Sequence, residues 1–118
     1  MGFSNLAAYV IKYLCVDWYY TEPFCRMVAF ISQRGRCYVT GVLLVWDYRE
    51  LHHRHRRHYG GKDTIENTIY LNIDVHKLVH ESCLNKINLL LEKLNLTSKQ
   101  MRMINQLRYE SRMPLLDY

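Results

Sequence analysis

Four arginines and four histidines crowd into one short run: Arg49, His52, His53, Arg54, His55, Arg56, Arg57 and His58, with Tyr59 and Lys62 just beyond. The 14 residues 49–62 hold five basic groups against Glu50 and so carry +4 of the chain's net +5, histidines neutral. Guanidinium forks pair bidentately with phosphate, and phosphate contacts dominate nucleic-acid affinity. Imidazole and tyrosine rings between them stack on unpaired bases. The expected phosphate contacts are Arg54, Arg56 and Arg57, with stacking or hydrogen bonding from His53, His55 and Tyr59. Arg49, Lys62, Arg34, Arg36, Lys99 and Arg102 extend the track. Imidazoles titrate near ~6.5, so such a loop gains charge, and affinity for nucleic acid, as pH falls.

A second group of residues has ligand chemistry. His76 and His80 are four apart, hence on one helix face, and Cys83 lies three further on. With Cys37 they form a weaker candidate zinc set, since imidazole and thiolate are natural zinc ligands. The spacing matches no compact zinc module, so no metal or other cofactor is expected. An acid–base reading would use Glu50, Asp63, Glu66 and the histidines of the run. No nucleophile motif or phosphate-cradling glycine loop accompanies them, and the chain is read as non-enzymatic, with a histidine-based nuclease as the minor alternative.

Composition bounds these readings. A chain of 118 residues, 49% hydrophobic, supports one compact domain with its own core. Ten tyrosines against three phenylalanines place polar-ended rings at the core's edge or on a contact surface. Cys15, Cys25, Cys37 and Cys83 show no Cys-x-x-Cys spacing, and no secretory signal is evident. A cytoplasmic or nuclear, non-secreted chain with reduced thiols is expected, and no apolar run is long enough to cross a bilayer.

The elements that must position this chemistry follow from periodicity. Leu6, Ala7, Val10, Ile11, Leu14 and Trp18 predict a helix over 5–20, apolar enough to be covered by the rest of the protein or by a second copy. Residues 24–47 read either as a helix through Phe24, Met27, Val28 and Ile31 or as a hairpin of strands 26–32 and 37–46. The β-branched and aromatic content of 37–46 favours the hairpin. Ile65, Ile69, Leu71 and Ile73 alternate with polar residues, predicting a strand over 64–74, although Asn67 falls on the apolar parity. Residues 49–62 are then a tip between two antiparallel strands, with Gly60-Gly61 helping to reverse the chain.

Asp74 is the expected cap of a helix over 75–94 with Leu78, Leu84, Ile87, Leu91 and Leu94 inward. Thr97 with Gln100 forms a capping box opening a helix from Ser98 to about Arg112. Met101, Met103, Ile104 and Leu107 face one side of it, and Lys99, Arg102, Gln106, Tyr109 and Arg112 the other. The expected architecture is α+β, a small antiparallel three-stranded sheet packed on helices in the order α-β-β-β-α-α, with a protruding basic loop at 49–62.

The function read from sequence is a small basic accessory protein of viral or phage type. It would bind nucleic acid, RNA or single strands in preference to duplex, through the Arg/His tip. The alternative is a protein-interaction or inhibitor module, dimeric through the first helix, whose tip engages an acidic partner.

Overall fold

The computed structural model describes residues 21–45 and 48–118. The expected helix over 5–20 lies outside them. Helix α1 (Glu22–Ser32) comes first. Thr21 caps it by accepting from the Phe24 N–H at 3.4 Å, and Pro23 occupies the first turn, where a missing N–H costs nothing. Phe24, Cys25, Val28 and Ala29 are buried along one face. That 3–4 spacing overrides the expected strand over 26–32: a helix buries all four on one side, whereas a strand would split Phe24 and Val28 from Cys25 and Ala29.

The expected strand over 37–46 is absent among the described residues. An isolated bridge, Arg36 with Leu43, stands in its place. The chain turns back on itself, with Cys37 N–H donating to Val42 O and Gly41 N–H to Cys37 O, both at 2.9 Å. Gly41 makes this possible at φ +71°. Cys37 and Val39 enter the core, but Val42, Leu43 and Val45 remain 60–61% exposed. Strand propensity records fit to a pleated neighbour, and among the described residues these side chains have none on that face.

The sheet is two-stranded: β1 (Arg49–His53) pairs antiparallel with β2 (Thr68–Asn72) in the register Arg49–Asn72, Leu51–Tyr70, His53–Thr68. The strand therefore begins inside the run expected to be loop, and 64–67 is turn. The far edge of β2 is covered by a side chain. Gln33 accepts from Tyr70 N–H and donates to Tyr70 O, both at 2.8 Å, imitating a strand partner.

Helix α2 (Ile73–His80) follows β2 without a loop. Asn72, two residues before the expected cap Asp74, is its cap and accepts from Asp74 N–H at 2.9 Å. The single helix expected over 75–94 is two. The Glu81 carboxylate takes the N–H groups of Ser82 and Cys83 at 3.1 and 3.2 Å, which breaks the helix, and α3 (Leu84–Leu94) starts anew after Cys83. Leu84, now the first residue of the new helix, is 68% exposed rather than inward. Helix α4 (Ser98–Glu110) begins with both halves of the expected capping box formed.

The core gathers Leu71 of β2, Val75, Leu78 and Val79 of α2, Ile87 of α3, and Ile104 and Leu107 of α4. Within it Arg108 is 1% exposed. It makes no ion pair among the described residues and is satisfied by backbone. It donates to Leu78 O at 2.7 Å, Glu81 O at 2.9 Å and Pro114 O at 2.7 Å. Two of these carbonyls terminate α2, the negative end of the helix dipole, where a cation is favoured. The architecture is α+β with four helices and one two-stranded antiparallel sheet among the described residues. No helix of these is long and apolar enough to cross a membrane.

Candidate metal centre

The β1–β2 hairpin and α2 bring together three histidines far apart in sequence. Strand alternation turns His52 of β1 inward, toward the helix that follows β2. His76 and His80, one turn apart on α2, meet it. The ring centroids lie 4.8–5.2 Å from one another. One nitrogen of each ring falls within 4.8 Å of the corresponding nitrogens of the other two. His52 Nδ1 and His80 Nε2 are 3.3 Å apart. That is the edge of a tetrahedron whose metal–nitrogen bonds are about 2.0–2.1 Å long.

The protonation states suit ligation. His52 is 1% exposed, and burial, followed by the charges of His76 and His80, pushes its pKa down to about 3. Burial, then His76, Arg56 and Arg108, pushes His80 down to about 4. Both rings are neutral at ordinary pH, the form that ligates. His52 Nε2 and His80 Nδ1 are buried and have no hydrogen-bond partner among the described residues. These are the nitrogens that face away from the 3.3 Å pair, so ligation through His52 Nδ1 and His80 Nε2 would leave each unpaired at a cost of about 1–3 kcal/mol. The third ring is oriented from outside: Glu50 lies 3.4 Å from His76 Nδ1, leaving Nε2 for the cluster.

His53, next in β1, lines the same cleft of about 220 Å³ with Leu51, His52, Arg56, Arg57, His76 and His80. Its Nε2 is 2.7 Å from Asp63 Oδ1. Arg57 Nε donates to the same Nε2 at 3.2 Å, so this nitrogen meets one acceptor and one donor. Asp63 is held below the usual carboxylate range by His53 and then by Arg57. Arg57 Nη2 donates both to Asp63 at 2.7 Å and to Glu22 of α1 at 2.8 Å.

The loop 54–67 is built to hold this arrangement. Asn67, the residue off parity in the strand pattern, reaches across it. Its Oδ1 accepts from His55 N–H at 2.7 Å, and its Nδ2 donates to His55 O and Lys62 O at 3.0 and 2.9 Å. Gly60 takes φ +91°, and a Cβ on Gly61 would meet His55 O at 1.7 Å. The Gly-Gly pair is therefore required on both counts, positive φ at the first and close approach at the second.

No protein-family model, no curated protein and no solved structure matches the chain.

The remaining site residues expected from sequence divide by what they already bind. Arg54 is committed to Glu110 of α4 through two bonds of 3.0 and 3.2 Å. Arg49 lies over the rings of Phe30 and Tyr70, and Arg36 donates to Gly41 O. Arg56 makes no ion pair among the described residues and packs 5.7 Å from the Tyr59 ring centre. His55 Nε2 is 2.8 Å from Tyr59 O. Arg34, Lys62, Lys99 and Arg102 are exposed and stand away from the cleft lining.

Of the metal set read from sequence, His76 and His80 belong to the cluster. Cys37 Sγ instead accepts from Asn72 N–H at 3.4 Å, and Cys83 is an exposed residue before α3. The ligand that sequence reasoning missed is His52, read there as part of a basic tip. The signal was present: an inward-parity histidine in one strand of a hairpin, followed by His-x-x-x-His on the helix leaving the other.

Proposed function

We propose that this chain is a metal-dependent phosphodiesterase acting on nucleic acid. The observation that supports it most is the convergence of His52, His76 and His80 beside the Asp63-bound His53. Three histidine ligands leave a coordination position open, the pattern of catalytic rather than structural zinc sites. His52, His76 and His80 would hold a divalent transition metal, which would supply Lewis-acid stabilisation of charge on the phosphoryl oxygens. The His53 imidazole takes the proton from an attacking water; the new P–O bond forms as the opposite P–O bond breaks. Asp63 and Arg57 hold the ring in place at its Nε2. Arg56, unpaired and in the cleft, is the phosphate anchor. The concentration of positive charge in 49–62 supports nucleic acid as the substrate class.

The test is hydrolysis of end-labelled single- and double-stranded RNA and DNA by chelator-stripped protein resupplied with Zn²⁺, Co²⁺, Ni²⁺, Mn²⁺ or Mg²⁺. Cleavage restored by one of these metals, and lost by at least about 100-fold in both His52→Ala and His53→Ala, is the expected result. Metal binding with no cleavage of any strand would reduce the site to a structural one and leave a nucleic-acid-binding module. Neither metal binding nor nucleic-acid binding would return the reading to a protein-interaction module, for which exposed Val42, Leu43 and Val45 are the surface.

A further inference from the structure

We infer that Arg112, laid across Tyr59, is a second phosphate subsite that guides the strand away from the metal cleft; this rests on the nucleic-acid reading above. The argument starts from the backbone. Helix α4 ends in a paired C-terminal turn: Met113 N–H donates to Arg108 O at 2.8 Å and Arg112 N–H to Tyr109 O at 3.1 Å. The residue between the cap Ser111 and Met113 must adopt the left-handed conformation, and Arg112 does, at φ +60°. Glycine is the usual occupant there, because a Cβ in that conformation costs roughly 1 kcal/mol or more. Arg34 adopts the same conformation after α1, at φ +54°, so the backbone alone marks no site. What sets Arg112 apart is where its side chain goes.

The Arg112 guanidinium lies 4.0 Å from the centre of the Tyr59 ring. The Arg56 guanidinium lies 5.7 Å from the same ring and lines the histidine cleft. Neither arginine makes an ion pair among the described residues. The nearby carboxylate of Glu110 is engaged by Arg54, and Glu66 lines the same neighbouring cavity. The two guanidiniums are therefore no farther apart than the sum of their distances to the ring. An upper bound of about 10 Å lets neighbouring phosphates of one strand meet the two guanidiniums. Tyr59, 39% exposed, holds both planes in position, so little side-chain freedom is left to lose on binding. A strand whose scissile phosphate sits at the metal and is held by Arg56 would pass its next phosphates to Arg112.

Arg112→Gly tests this cleanly, because it removes the charge while relieving the backbone. Binding of a fluorescent oligonucleotide would be measured in chelator across a salt series, beside thermal unfolding. The subsite predicts affinity several-fold weaker at low salt and a salt slope smaller by about one ion contact, roughly 0.7–0.9, with Tm equal or higher. An unchanged slope overturns it. If Tm falls as well, Arg112→Lys decides. Recovery of the slope keeps the subsite; a variant as weak as Arg112→Gly makes the stacking a structural tie only. No binding of any oligonucleotide by wild type also overturns it. Hydrolysis with an unaltered Arg112→Gly slope defeats the subsite alone, and an Arg112-dependent slope without metal-dependent cleavage defeats the hydrolase reading alone.

Discussion

The loop 54–67 and the α2–α4 layer are held by different means. The loop contains a short 3-10 turn, Arg57–Tyr59, in which no residue is buried. Its shape comes from Asn67, the Gly60-Gly61 reversal and the ion pairs of Arg57. The helices are held by apolar burial, with Leu78, Ile104 and Leu107 at 0% exposure. The histidine cluster sits at the seam, His52 from the hairpin and His76 and His80 from the helix. The difference teaches that geometry for chemistry can be set by a handful of polar bonds, provided a separate core fixes the platform beneath them.

The comparison breaks most severely in the core. Ile104→Ala should cost about 2–5 kcal/mol in urea unfolding, because the cavity is added to the lost transfer energy. It should take the histidine cluster down with the fold. Acid acts on the seam with a smaller effect. His52 has its pKa depressed from 6.5 to about 3, so between these values the unfolded chain takes up a proton that the folded one refuses. The stability contribution is complete above pH 6.5 and is lost as pH falls toward 3. For metal-free protein this amounts to about 2 kcal/mol between pH 6.5 and 5. His52→Phe should flatten that part of the Tm–pH profile; an identical profile would show that His52 is not buried neutral. The smallest effect is expected in the loop. Asn67→Ala removes three bonds to backbone and should lower global stability by only about 1 kcal/mol. Hydrogen exchange of amides 55–62 should nevertheless accelerate strongly while those of α4 stay protected. Uniform acceleration would mean that the two regions are one cooperative unit.

What could be read from sequence tracks the range of the interaction. The Thr97–Gln100 capping box and the Gly60-Gly61 reversal are local and form where expected. The helix of 24–31 shared its spacing with a strand alternative, and only burial against β2 separates them. The strand over 37–46 failed because propensity names a preferred conformation without supplying a partner. The break at 81–83 carries no glycine or proline; a carboxylate folding back on two amides produced it. His76 and His80 announce a shared helix face by themselves. Their third companion depended on the strand register, which places His52 opposite Ile69 and beneath the returning helix.

Arg108 has a consequence for the order of events during synthesis. The carbonyls that close α2 are seated on a guanidinium supplied 28 residues after His80 in the chain. A growing polypeptide therefore contains all three imidazoles well before it contains the clamp that fixes two of them. Until α4 has been made and has docked, the short α2 has an unfinished end, and the cluster lacks its final geometry. The histidine cluster therefore takes its final geometry only after the scaffold that confines it is complete.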